Sequence, residues 1–154
     1  VTTKTKALPD AATAHKLVED AAAKVAALPE TERVASLSVG DMVQQGDVYL
    51  LRVKDKSQPA KDKTGSRQLA PGNNPGARHV IDPDADVTVY PSGIAGGLEA
   101  LGVPVASHAL LGPLVRALSR FTLMHPEHGH KDMPAGCYQT LFQVDAVTMQ
   151  RVQD

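Results

Sequence analysis

The chain has a single cysteine, Cys137, in 154 residues, so it forms no internal disulfide and a thiolate-rich zinc site is excluded. Aromatic residues are almost as scarce. There is no tryptophan, Phe121 and Phe142 are the only phenylalanines, and Tyr49, Tyr90 and Tyr138 are the only tyrosines. A stacking platform for nucleic-acid bases normally needs more, and the core must rely on Val, Leu, Ile and Ala. An excess of one charge is also missing. Sixteen Lys and Arg stand against seventeen Asp and Glu, for a net charge of -1, so no global field steers the chain toward DNA, RNA or acidic lipid. A nucleic-acid partner is not expected. No apolar run is long enough to cross a membrane, so no membrane partner is expected either. Val1-Thr2-Thr3-Lys4-Thr5-Lys6 lacks the apolar stretch of a secretory signal, which leads to the expectation of a cytoplasmic setting, with a virion-associated one reading identically. A phosphate-binding P-loop, a dinucleotide fingerprint and an HExxH pair are all absent. Nucleotide-dependent and helical metalloprotease chemistry therefore have no support.

What the chain does contain divides at about residue 32. Residues 1–9 read as a flexible arm. From Asp10 to Leu28, the residues Ala14, Leu17, Val18, Ala21, Val25 and Leu28 recur at threes and fours, while Lys16, Glu19, Asp20 and Lys24 take much of the other face. This pattern predicts an amphipathic helix of about five turns, with Asp10 as N-cap and Pro29 as the stop. Its apolar face is mostly alanine. Such a face docks closely on the domain or pairs with a second copy, and a homo-oligomer is the expected outcome.

Residues 33–154 read as one β-rich domain, a small barrel or sandwich with the helix available to protect an edge. Val48-Tyr49-Leu50-Leu51-Arg52-Val53 is strand-like in composition and follows the Gln45-Gly46-Asp47 turn. Short strands are expected at 78–81 and 86–90, around Asp82-Pro83-Asp84. Residues 54–78, with Pro59, Gly65 and Pro71-Gly72-Asn73-Asn74-Pro75-Gly76, form exposed loop. Residues 91–113 are ambiguous between a weak helix near 94–101 and an apolar loop. Leu114–Met124 alternates in part, Cys137–Val144 is β-like, and Val147–Val152 supplies a closing strand. Between Arg52 and Arg78 lie seven basic residues (Arg52, Lys54, Lys56, Lys61, Lys63, Arg67, Arg78) against Asp55 and Asp62. This stretch is either a solvated polar loop or one that attracts an anionic small molecule.

The densest chemistry lies in Leu123-Met124-His125-Pro126-Glu127-His128-Gly129-His130, which holds three of the six histidines. Pro126 makes a regular strand or helix interior awkward and predicts a bend that brings His125 and His128 together. With His79 as the distant partner and His108 as a weaker one, these imidazoles would suit Zn²⁺, Mn²⁺, Fe²⁺ or Ni²⁺. His79, His125 and His128 are then the metal ligands, and Glu127 with His128 the acid–base pair of a hydrolytic or oxidative reaction. Three other readings stand beside it: exposed polar histidines at a turn, a buried hydrogen-bonded network that fixes a loop, and a metal-free His/Glu catalytic pair. Whether the protein is an enzyme stays open. Cys137 reads first as packing and second as a Cys/His nucleophile. Asp41, Asp47, Asp82, Asp84 and Asp86 show no calcium-loop spacing.

His128-Gly129-His130 with Pro134-x-Gly136 is similar to fragments of cupin metal motifs, although the carboxylate that should follow the histidine pair is absent. The chain more closely resembles a group of small uncharacterised proteins of phages and bacteria. The shared features are Gln45-Gly46-Asp47-Val48, Gly76-x-x-His79, Leu123-x-His125-Pro126-Glu127-His128, Pro134-Ala135-Gly136-x-Tyr138, Gln143 and Arg151-Val152-x-Asp154. They extend over about residues 43–154 in matching order. The earlier motif in that group often looks like Gly-His-x-His, where this chain has Gly76-Ala77-Arg78-His79. The resemblance implies that His79, His125 and His128 share one location. It brings no activity with it, and leaves a non-enzymatic structural or interaction protein of phage or phage-like origin as the alternative to a metal site.

Overall fold

Alternating burial organises the domain into two open β-sheets. The computed structural model describes residues 10–26, 31–70, 78–102 and 109–152. Helix α1, Ala11–Ala26, begins where the periodicity predicts. The Asp10 carboxylate accepts the Thr13 N–H at 2.8 Å, an N-cap that also holds the carboxyl below its usual range. Residues Ala11 to Asp20 are all exposed, with Leu17 at 57% and Val18 at 67%. This stretch of the apolar stripe is therefore not docked on the domain. Leu28 and Pro29 lie outside the described residues.

Ten strands follow: β1 Glu32–Arg33, β2 Met42–Gln45, β3 Val48–Val53, β4 Gln68–Ala70, β5 His79–Ile81, β6 Val87–Tyr90, β7 Ala109–Ala117, β8 Phe121–Met124, β9 Lys131–Met133 and β10 Gly136–Gln143. One sheet runs β1-β9-β8-β5-β4, the other β2-β3-β10-β7-β6. Neither sheet closes, so the fold is mainly β with open sheets rather than the barrel that was one of the two expectations.

The two sheets share a core. Leu50, Val89, Val115 and Tyr138 from the second pack with Leu69, Ile81, Phe121, Leu123 and Met133 from the first. Because side chains alternate along a strand, Leu51, Val53, Leu114, Cys137 and Leu141 form a second cluster, which Tyr49, Tyr90, Leu101 and Leu111 help cover. The second sheet is thus apolar on both faces, which is why β3 reads as a nearly continuous apolar run.

Four segments depart from the sequence reading. Residues 54–78, expected as exposed loop, contain β4, which pairs with β5 and buries Leu69 and Ala70. Leu114–Met124 is two strands rather than one run: β7 ends at Ala117, Leu118 is 75% exposed, and β8 continues in the other sheet. The ambiguous stretch holds a 3-10 helix, Gly97–Leu101, shorter than the helix considered there. Val147–Val152 is not a strand. Asp145 instead accepts the N–H groups of Val147 and Thr148 at 2.9 and 2.7 Å, and a single bridge joins Val144 to Arg151.

Candidate functional site

The polar centre of the domain is built from the turn after β2, the start of β5 and the loop between β8 and β9. Gln45, Asp47, His79 and His125 are buried to within 2% of full enclosure. The Gln45 amide nitrogen donates to the carbonyls of Leu123 at 3.0 Å and Gly129 at 2.6 Å. These two bonds fix the amide so that its oxygen faces His79 Nδ1 at 2.8 Å, and Nδ1 must therefore carry a proton. His79 Nε2 lies 3.1 Å from Asp47 Oδ1. Arg151 donates to the other carboxylate oxygen at 3.2 Å. Burial first and the adjacent His125 second push the His79 pKa down to about 4, against the opposing pull of Asp47.

The β8–β9 loop is tied by its own imidazoles. His125 Nδ1 accepts the backbone N–H of Glu127 and of His128, each at 3.1 Å, and His130 Nδ1 accepts the His125 N–H at 3.1 Å. Pro126 has no N–H to satisfy, and Gly129 turns the chain at φ 80°, a conformation that favours glycine. The bend expected from Pro126 is present. Nδ1 of His125 is an acceptor here, so the ring proton lies on Nε2.

The structure brings His79, His125 and His128 together, as the resemblance implied. Ring centroids are 4.4 Å apart for His79–His125 and for His125–His128, and 6.3 Å for His79–His128. The first two rings are buried and the third is exposed. Glu127 is also exposed, and its carboxylate makes no ion pair with any described residue. Among the described residues, no three His, Cys, Asp or Glu side chains are disposed to hold a metal ion. His108 lies outside them. The site also contains Gln45, Asp47 and Arg151, which were not singled out as its members. The signal for them was their place in the shared motifs at 45–48 and 151–154.

Cys137 is buried at 0% exposure, and desolvation raises its thiol above the usual value against the Arg116 and Arg52 charges. This fits packing rather than a nucleophile. Asp82 and Asp145 cap turns. Within the basic stretch, Lys63 and Arg67 line one cleft. Arg52 turns to Asp55 at 2.8 Å, while Arg67 lies beside β6.

Fold and site together define a two-sheet β domain whose core encloses a glutamine–histidine–aspartate network beneath a histidine-tied loop. Residues 44–143 match the family described as Domain of unknown function (DUF8820), and the chain belongs to that family. No curated protein and no solved structure matches the chain. No helix among the described residues is long and apolar enough to cross a membrane.

Proposed function

We propose that the histidine cluster is the polar lock of a non-enzymatic structural or interaction protein, whose exposed helix α1 joins it to further copies of itself. The observation that carries this reading is His79, whose two ring nitrogens are both engaged, one by Gln45 and one by Asp47. A catalytic or metal-binding imidazole needs one nitrogen for its substrate or ion. His125 uses its Nδ1 to close the β8–β9 loop.

The helix supports the second half of the reading. Most helical stability in proteins comes from packing of the apolar face, and in the 16-residue α1 Leu17 and Val18 have no cover in the monomer. Pairing of α1 between copies would bury them, as a phage-like accessory component inside the cell or the virion would require. Sedimentation equilibrium tests this. The full chain should form a defined oligomer, and Leu17→Glu with Val18→Glu should return it to monomers. A monomeric wild-type chain refutes the assembly.

A divalent metal is the second reading, favoured by the 4.4 Å ring spacings. It would place Zn²⁺, Mn²⁺, Fe²⁺ or Ni²⁺ on His79, His125 and His128 with Glu127 as ligand or base, and requires His79 to release Asp47 or Gln45. Elemental mass spectrometry on protein purified without chelator separates the two readings. About one metal per chain, lost in His125→Ala/His128→Ala, supports the metal. No metal in either protein, with the variant less stable, supports the lock.

A further inference from the structure

Five arginines of the described residues are partly buried, and four have their guanidinium groups engaged. Arg52 pairs with Asp55 and Arg120 with Asp132, Arg151 pairs with Asp47, and Arg116 donates to the Tyr90 hydroxyl and the Ser57 carbonyl. Arg67 is the exception. Its side chain has no hydrogen bond or carboxylate partner among the described residues, and its Nη1 is buried without a partner. A buried cationic donor left unmet is unfavourable.

The surroundings of Arg67 explain what could meet it. The segment 64–67 bridges the two sheets: the Thr64 N–H donates to the Val89 carbonyl at 2.8 Å on β6, and the Arg67 carbonyl accepts the Ile81 N–H at 2.9 Å on β5. The seam leaves a cleft of about 380 Å³ lined by Lys63, Thr64, Gly65, Arg67, Thr88 and the flanking Val87 and Val89. Two cations and two hydroxyl side chains line it, with no carboxylate among its lining residues. Gly65 adds no side chain and leaves its Cβ position open, with nothing within 4 Å.

We propose that this cleft binds the phosphate group of a small molecule, with Arg67 and Lys63 supplying charge and the Thr64 and Thr88 hydroxyls donating hydrogen bonds. Phosphate offers oxygens to several donors at once, and a guanidinium matches it with two. The volume admits a phosphate with a short organic body, at the small end of ligand sites. The site is independent of the histidine lock.

The test is an amide NMR titration with inorganic phosphate and with glycerol phosphate, against chloride at matched ionic strength, on the wild type, Arg67→Gln and Lys63→Glu. Saturable shifts at Thr64, Gly65 and Thr88, weakened at least tenfold in both variants, establish the site. The tighter of the two probes tells whether free phosphate or an ester is its ligand. Thermal melts keep the result separate from folding: Arg67→Gln should melt no lower than the wild type, because it removes a cation with nothing to hold it. Shifts reproduced by chloride, shifts unchanged in the variants, or no saturable shift at all would overturn the proposal, as would a large loss of melting temperature in Arg67→Gln, which would make Arg67 structural.

Discussion

Gln45 holds His79 in register: its amide nitrogen is fixed by the Leu123 and Gly129 carbonyls, and its oxygen meets His79 Nδ1 at 2.8 Å. Gln45→Leu keeps similar bulk but removes all three bonds, leaving two carbonyls and a ring N–H buried and unmet. We expect a loss of about 2–4 kcal/mol in urea unfolding, with the backbone amides of the β8–β9 loop losing hydrogen-exchange protection first. A variant as stable as the wild type would remove Gln45 from the lock.

Burial of His79 beside His125 should make the fold acid-sensitive. The folded-state His79 pKa, at about 4, lies below the ordinary 6.5, so protonation favours the unfolded chain. The stabilisation is fully present above pH 6.5 and is lost as pH falls toward 4. At most it is on the order of 3 kcal/mol. Urea midpoints measured across this range should fall steadily for the wild type, and more shallowly for His79→Gln.

Tyr138 should limit stability at the alkaline end. Burial pushes its phenol up to about 12 from 10, and the hydroxyl donates to the Pro134 carbonyl at 2.7 Å. Folding therefore favours the neutral phenol. The stabilisation is complete below pH 10 and disappears as pH rises through 12. Tyrosinate absorbance should show a late-titrating step near pH 12, and Tyr138→Phe should abolish it.

Gly93 supports a different contact. At φ 70° it lies in the left-handed region, and an added Cβ would stand 2.7 Å from the Gly112 carbonyl oxygen and 3.0 Å from both polar atoms of the Gln139 amide. That amide oxygen accepts the Ile94 N–H at 2.9 Å, and its nitrogen donates to the Gly112 carbonyl at 2.7 Å. Gly93→Ala should cost about 2–3 kcal/mol through backbone strain and displacement of Gln139. Thermal unfolding checks it.

The local elements are legible along the chain. Helical periodicity with Asp10 ahead of it specified α1, the apolar run Val48–Val53 specified β3, and Pro126 specified the bend after β8, because each depends on neighbours within a few residues. The gathering of His79, His125 and His128 was legible from shared motifs alone. The rest depends on which distant segments meet. Only the fold could part β7 from β8 at the exposed Leu118 and send them to different sheets, since both halves are equally apolar. Only the fold could bring Gln45, Asp47 and Arg151 to His79 across 34, 32 and 72 positions of chain, because a buried hydrogen bond depends on which donors and acceptors meet away from water. Local pattern does not record that meeting, nor does it distinguish Arg67, left without a partner, from the four arginines that found theirs.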